Sequence, residues 1–464
     1  MIGIVTKSLY YPLLDAVKKT PFRAAFAEAL AHERWSPGAL EADSLARLKA
    51  VLALAESGCP YYAEAFRGCG VRAADLVSPQ DLARFPVLKK AQLFEHAERL
   101  KDRRYRGPSL RGTTSGSTGI AMSFFHDPVH HAWVEASQWR GRRWWGVERG
   151  DTQLVLWSRP VENTRASSLA AWGKYRLRNS IQFDTFRDFT PAVVDRMLRA
   201  VRRWRPRMIY GYGSSIGRLG LELERRGVVL SPDERPALVE YTADHMGARD
   251  KQAVEHVFGA PVTSAYGSSE CGGVAQQCRS GRLHMSIDHA IVEFVRHDGR
   301  AAGPGETATI LLTQLNNRAM PLVRYDVGDL GSYSDEPCPC GSPLPVMNLE
   351  VGKAVDLIST STKTRVSAHL LDYINLHLMK HAIAGVRQFL VEQTATDSFV
   401  LSIVKDKVFE PRCVDVFVAK MKEYLGEQIA VEVRFVDDIA LLPTGKRRYF
   451  IKRFAEAPQA DATG

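Results

Sequence analysis

The sequence predicts an α/β protein. We expect a large N-terminal domain on doubly wound parallel sheets, with a small β-barrel-like subdomain, and a smaller α+β C-terminal domain. Three observations carry this. Strand-like and helix-like segments alternate between Thr152 and Ala265, the pattern of a parallel sheet covered by helices. After Gly281 the pattern changes to short strands punctuated by Gly and Pro. From about Gly352 a third pattern begins, a helix, two strands, a helix and a strand. A chain of 464 residues is too long for one compact core. We place the domains at 1–351 and 352–464, with the β-rich subdomain at about 281–351.

The elements follow in order. Residues 1 to about 105 read as mostly helical, with breaks around Pro37, Pro60 and Pro86. The first segment, MIGIVTKSLYYPLLDAVKK, is amphipathic and lacks a signal-peptide core or cleavage site. Thr152–Trp157 is a strand candidate. Thr190 then offers an N-cap and Pro191 a first helical residue, and Val193, Val194, Met197, Leu198, Val201 and Trp204 follow at helical spacing. Met208–Tyr210 reads as a strand, Ile216–Arg226 as a helix, Ala237–Thr242 as a strand, Ala248–Phe258 as a helix and Val262–Ala265 as a strand. AIVEFV, ATILLTQL and DLGSYS supply the short strands of the subdomain. The last unit has helices at Ala368–Met379 and Pro411–Leu425, with strands at Val386–Gln393, Phe399–Val404 and Val431–Val436.

Composition narrows the function classes. The chain is 45% hydrophobic and 25% charged, which is ordinary for a globular protein. No stretch approaches the roughly 20 apolar residues of a membrane helix, so we expect a cytoplasmic protein without integral membrane association. The net charge of +10 could serve nucleic acid, an anionic membrane or polyphosphate. There is no zinc-finger spacing, aromatic RNA-binding signature or long basic tail, so no nucleic-acid partner is expected. Seven cysteines in a reducing compartment should be thiols or metal ligands.

Residues 112–119 read Gly-Thr-Thr-Ser-Gly-Ser-Thr-Gly. The glycines let the backbone approach a ligand, and the hydroxyls add donors beside exposed N–H groups. That suits a polyphosphate, although a flexible linker has similar composition. The loop lacks the Gly-Lys-Ser/Thr ending of a Walker A sequence. The segment Thr114-Ser115-Gly116-Ser117-Thr118-Gly119 resembles the phosphate loop of the adenylate-forming superfamily: acyl-CoA ligases, adenylation domains and luciferases. Four further motifs appear in that family's order. Tyr266-Gly267-Ser268-Ser269-Glu270 is similar to YGxTE, and Tyr325-Asp326-Val327-Gly328-Asp329 to YRTGD. Gly352-Lys353-Ala354-Val355-Asp356 is similar to the hinge GRxDD, and Pro443-Thr444-Gly445-Lys446 to the terminal lysine motif. Within the superfamily the chain most resembles phenylacetate–CoA ligases and their CapK-like relatives, which share an element like Cys338-Pro339-Cys340-Gly341.

The resemblance implies roles. Ser115–Thr118 would hold the β- and γ-phosphates of ATP, and Tyr266 would stack on adenine with Asp244 near the base edge. Glu270 would hold Mg²⁺, a cation that prefers carboxylate and phosphate oxygens. Asp329 would accept from the ribose hydroxyls, with Lys353 near them. Lys446 would bridge the substrate carboxylate and the α-phosphate. Asp356 would be the hinge of a mobile C-terminal domain. Taken singly, Tyr266 could be core, Asp329 a turn residue and Lys446 a solvated lysine; the ordered set favours the site. Lys353 replaces an arginine and cannot make its planar two-pronged contact.

Cys278, His284, Cys338 and Cys340 could together make a closed structural zinc site, or be four unlinked residues. Trp133, Trp139, Trp144 and Tyr212 are available for an aryl-sized pocket or for core. The implied reaction joins a carboxylic acid to AMP from ATP, releases pyrophosphate, and passes the acyl group to a thiol, with coenzyme A the expected acceptor. An amine or sugar acceptor is the alternative, and a catalytically silent nucleotide-binding protein is the reading from another class. A monomer or homodimer is expected.

Overall fold

The computed structural model describes residues 2–115, 121–157, 177–183, 185, 190–349, 357–363, 366–368, 370–371, 374, 378, 386–405, 408–439 and 449–454. The N-terminal region is helical as expected. Pro37 and Pro60 prove to be first residues of the helices Pro37–Gly58 and Pro60–Gly68. Proline has no N–H to lose at that position, and its fixed φ suits the first turn. The Ser36 hydroxyl caps the longer helix by accepting from the Ala39 N–H.

The next strands are β1 (Leu110–Ser115) and β2 (Ala121–His126), an antiparallel hairpin paired from Leu110↔His126 to Ser115↔Ala121. A parallel block follows, formed by β3 (Gln153–Leu156), β4 (Ser180–Phe183), β5 (Met208–Tyr212), β6 (Leu238–Thr242) and β7 (Val262–Ser268). Its spatial order is β4-β3-β5-β6-β7. The order reverses between β3 and β5, and ligands in such sheets bind beyond the carboxyl ends of the strands. Helices Pro191–Trp204, Gly213–Arg225 and Ala248–Phe258 connect the strands. The first matches its sequence signature: the Thr190 hydroxyl accepts from the Val193 N–H, and Val194, Met197 and Val201 are buried.

The strands after Gly281 extend this sheet. They are β9 (Leu283–Met285), β10 (Ala290–Val295), β11 (Ala308–Gln314), β12 (Tyr325–Ser334) and β13 (Val346–Leu349), reached through β8 (Gly272–Gln277). All pair antiparallel, and the complete order is β10-β11-β12-β13-β9-β8-β7-β6-β5-β3-β4. β7 joins the two halves. Val262–Ser264 pair parallel with β6, and Ala265–Ser268 pair antiparallel with β8.

The C-terminal residues form β14 (Leu357–Ile358), β15 (Val366–Ser367), β16 (Val386–Ala395), β17 (Ser398–Lys405), β18 (Ala430–Phe435) and β19 (Phe450–Lys452), with helix Arg412–Leu425. A four-stranded sheet, β18-β17-β16-β19, carries a core of its own around Phe389, Phe417, Leu401 and Phe450. Tyr212, at the end of β5, packs into that core. The helix expected over Ala368–Met379 lies largely outside the described residues. Among the described residues no helix is long and apolar enough to cross a membrane.

Helix Pro128–Arg143 lies tightly on the sheet. A Cβ on Gly141 would sit 2.5 Å from Gln276 Cβ on β8, so this contact requires glycine. The same helix buries Arg142. Its guanidinium donates to Glu240 Oε1 on β6 at 2.6 and 3.0 Å and lies 4.8 Å from the ring centres of Trp139 and Tyr210. Removing one partner strands a charge away from water. Arg142→Ala should therefore lower unfolding stability by about 3–5 kcal/mol, read from urea midpoints. A loss below about 1 kcal/mol would show that water reaches Glu240.

Candidate active site

The site is built at the carboxyl end of β7 and its turn into β8. A Cβ on Gly267 would lie 2.2 Å from the Gly272 carbonyl oxygen. Glycine thus lets the two strands close around residues 268–271. The Ser268 hydroxyl accepts from the Cys271 N–H at 3.0 Å and tightens the turn. Ser269 is exposed and Glu270 is buried.

Glu270 is held mainly by its backbone. Its carbonyl accepts from His126 Nε2 at 2.6 Å and from Gln314 Nε2 at 2.8 Å. A carbonyl oxygen only accepts, so His126 carries its proton on Nε2. Among the described residues, the carboxylate receives one hydrogen bond, from the Tyr325 hydroxyl at 3.2 Å, and no ion pair. A nearly buried carboxylate with a neutral partner suits a hard divalent cation such as Mg²⁺.

Asp329 arrives from β12. The pairing runs Thr309↔Leu330 and then Leu311↔Asp326, so Val327, Gly328 and Asp329 bulge out of the ladder. Such a bulge re-aims a side chain. Here it brings the Asp329 carboxylate to the Tyr266 hydroxyl, which donates at 3.2 Å. Burial and the neighbouring Asp329 carboxylate push the Tyr266 phenol well above its ordinary pKa, so it remains a donor.

Asp244 lies elsewhere on the same sheet end. Both its oxygens are engaged at the start of helix Gly213–Arg225, by the Ser214 N–H at 3.0 Å and the Ser214 hydroxyl at 2.5 Å. Ala243 before it adopts a left-handed conformation, φ 71°.

The structure thus brings Tyr266, Glu270 and Asp329 together, with Gly267, Ser268 and Ser269 forming the turn between them. Strands β1 and β2 flank residues 116–120, and His126 at the end of β2 touches Glu270. Thr114 and Ser115 end β1. Gly116, Ser117, Thr118, Gly119, Lys353, Asp356 and Lys446 lie outside the described residues. Sequence reasoning missed Tyr325, His126 and Gln314. Tyr325 opens its own motif and was available; the other two show no local signal.

The four aromatics do not form one pocket. Trp133 and Trp139 are buried in separate packing clusters. Trp144 donates to Glu33 and meets His284 edge-on. Tyr212 alone is at the sheet's carboxyl end, stacked on Trp157 at 4.2 Å. Cys271 is fully buried, and burial pushes its thiol pKa up.

The second cluster is compact. The ligand atoms of Cys278, His284, Cys338 and Cys340 all lie within 4.8 Å of one another. Cys278 Sγ is 3.6 Å from Cys338 Sγ, and Cys340 Sγ is 3.2 Å from His284 Nε2. A zinc tetrahedron with Zn–S of about 2.3 Å has edges of about 3.8 Å. His284 Nδ1 donates to the Leu344 carbonyl at 2.7 Å, which leaves the Nε2 lone pair for a metal.

Known proteins share both the sequence pattern and the fold. No protein-family model matches the chain. It is 25% identical over 332 residues to the phenylacetate–coenzyme A ligase of Thermus thermophilus, covering 67% of this chain and 70% of that protein. It is 25% identical over 307 residues to the phenylacetate–coenzyme A ligase of Pseudomonas putida, covering 64% and 67%. Both relatives are phenylacetate–CoA ligases, the branch of the adenylate-forming superfamily that the ordered motifs of this chain resemble. Among solved structures, 2-hydroxyisobutyryl-CoA ligase in complex with 2-HIB-AMP and CoA superposes with a TM-score of 0.59. The two are 20% identical, 91% of each chain is covered, and the likeness bears on the fold. The adenylate-forming fold therefore accounts for the large mixed sheet and the separate C-terminal sheet.

The imidazoles beneath Glu270 have a consequence for pH. Burial lowers the pKa of His126 and of His289 to about 4, and that of His130 well below its ordinary value. In the unfolded chain each titrates near 6.5. The folded state refuses protons that the unfolded state binds. This stability is complete above about pH 6.5 and is lost as pH falls toward about 4. Between pH 7.5 and 5 the expected loss is about 2 kcal/mol for each such histidine, measured as a falling urea midpoint. A midpoint that stays level over this range would mean that the imidazoles are hydrated.

Proposed function

We propose that this protein is an ATP-dependent acid–CoA ligase acting in the cytoplasm. A carboxylate attacks the α-phosphate of ATP to give an acyl-AMP, and pyrophosphate leaves. The coenzyme A thiol then attacks the acyl carbon, and AMP leaves. The observation that carries this reading is the convergence of Tyr266, Asp329 and Glu270 at the foot of the phosphate-loop hairpin. The residues come from two ordered motifs and the hairpin strands lead to a third. They set beside one another a phenol, a ribose-reaching carboxylate and a carboxylate that has no ion pair among the described residues.

The residues divide the work. Tyr266 offers its ring to the adenine, and Asp329, re-aimed by the β12 bulge, accepts from the ribose hydroxyls. Thr114–Gly119 cradle the β- and γ-phosphates, with Thr118 beside the reacting phosphate. Lys353 lies near the ribose. Glu270 would hold Mg²⁺, which would supply positive charge to the phosphates. Asp244 serves helix Gly213–Arg225 through Ser214, and its role near the base edge rests on the resemblance of Thr242-Ala243-Asp244 to the family's element before adenine. We divide the chain at 1–351 and 352–464, with the smaller domain turning about Asp356. That rotation would bring Lys446 to the α-phosphate for the first step and withdraw it for the second.

Pyrophosphate release across aryl, hydroxyaryl, fatty and amino acids tests the reading, with AMP release measured with and without CoA. Absence of pyrophosphate with every acid class would overturn it. AMP release indifferent to CoA would move the acyl group to an amine or sugar acceptor. Lys446→Ala separates the steps. It should lose acyl-AMP formation by roughly a hundredfold or more. It should still convert supplied acyl-AMP and CoA to thioester at near the normal rate; if both steps fall together, the rotation is wrong.

We also assign Cys278, His284, Cys338 and Cys340 to a structural zinc. The set offers three thiolates and one oriented imidazole and leaves no position open for chemistry. Protein purified without added metal should hold one zinc per chain by elemental analysis. Less than about a tenth of an equivalent would remove the assignment.

A further inference from the structure

The segment Ile2–Val17 is a single helix in three parts: Ile2–Val5 is α-helical, Thr6–Tyr10 is a wider π-turn, and Tyr11–Val17 is α-helical again. Pro12 accounts for the middle part. It has no N–H to donate, and its ring would crowd the carbonyl four residues back. The backbone widens instead, and the Tyr11 N–H donates to the Thr6 carbonyl five residues back.

One side of this helix is pinned to the protein. Lys7 pairs with Glu148 at 3.0 Å and with Asp151 at 2.7 Å. Asp15 accepts from Arg149 at 2.6 and 2.9 Å, and the Arg149 guanidinium also lies 4.3 Å from the Tyr11 ring centre. The other side is bare. Val5, Leu9, Leu13 and Val17 are 49%, 63%, 60% and 73% exposed. They recur every fourth residue, and Ala16 is exposed between them. At 3.6 residues per turn such a series drifts by about 40° per step. The wide turn takes up part of that drift and keeps the four on one side. Asp15 is the one acidic residue between Ile2 and Lys19, and it faces Arg149. Lys18 and Lys19 close the segment.

We infer that this face seats the protein in the plane of an anionic lipid bilayer. An apolar stripe ending in lysines, with half-buried Tyr10 at its margin, has the make-up of an interfacial helix. The net charge of +10 favours a negatively charged surface. The area argues against a second copy of the chain. A helix of this length is about 24 Å long. One stripe along it covers a few hundred Å², short of the roughly 800 Å² per partner of a stable dimer. The attachment is independent of the catalytic reading, because none of these residues lies in the site.

Co-sedimentation of the full chain with vesicles tests this. Vesicles of phosphatidylcholine are compared with mixtures of phosphatidylcholine and phosphatidylglycerol. The protein should pellet with the mixed vesicles, and less so as salt is raised. The double variant Leu9→Ser/Leu13→Ser should lose binding roughly tenfold or more, since buried apolar side chains supply most of an interfacial helix's affinity. Its activity on soluble substrates should be unchanged. Protein that remains in the supernatant with mixed vesicles overturns the inference, and this arm needs no variant. Equal binding by the double variant overturns the assignment to this face. A dimer seen by sedimentation velocity, abolished by the double variant and without vesicle binding, would make the occupant a second copy.

Discussion

The site rests on how one main-chain carbonyl is held. His126 and Gln314 both donate to the carbonyl of Glu270, and they come from the end of β2 and the end of β11. Three parts of the chain separated by 144 and 44 residues therefore meet at one oxygen. Fixing the backbone fixes the carboxylate without an ion pair, among the described residues, to neutralise it. A carboxylate held this way can meet a cation delivered with substrate, whereas one already paired to arginine would have to break that pair first. The hydrogen bond from Tyr325 completes the orientation at little electrostatic cost, because the phenol is neutral.

Other buried charges in the molecule are treated differently. Asp288 accepts from Arg140 at 2.6 and 3.1 Å and meets His32 at 2.9 Å, all out of water. Arg140 and His32 hold the Asp288 carboxyl well below its ordinary pKa against the opposing effect of burial. Glu240 is matched with Arg142 in the same way. These pairs bind helix Pro128–Arg143 to the sheet and to the N-terminal helices. The contrast separates structural carboxylates, saturated by guanidinium, from Glu270, which is not.

Much of the fold is legible in the sequence because its signals are local. Thr190 as cap and the spacing of Val194, Met197 and Val201 are enough to define a helix. Strands β3, β5, β6 and β7 are equally clear as apolar runs between turns, whereas the short β4, with Gln182 between Ile181 and Phe183, is not. Strand partnership is not legible in this way. Gly and Pro punctuation marks β10, β11 and the end of β12 as short strands, but pairing is decided by residues far away in sequence. Their union with the parallel block is visible only in three dimensions. The site divides along the same line. Motif order locates Tyr266, Glu270 and Asp329, yet the hydrogen bond from Tyr266 to Asp329 spans 63 residues and depends on a bulge with no sequence mark beyond Gly328. His126 and Gln314 escape detection for the same reason. The engagement of Asp244 by Ser214 depends on the close passage of β5 and β6, which no single motif records.

The change of partner within β7 also governs where the chain can tolerate insertion. Ser264 is paired to β6 and Ala265 to β8, so no slack residue lies between the two ladders. One added residue there would shift the register of everything after it. Alternate side chains would turn to the opposite face, and the turn bearing Glu270 would move away from His126. Length variation must fall elsewhere, as in the hairpin turn between β10 and β11, where Asp298 and Arg300 are exposed and Gly299 adopts φ 83°. Homologous chains that differ in length should therefore keep the spacing from Val262 to Glu270 and vary at such surface turns.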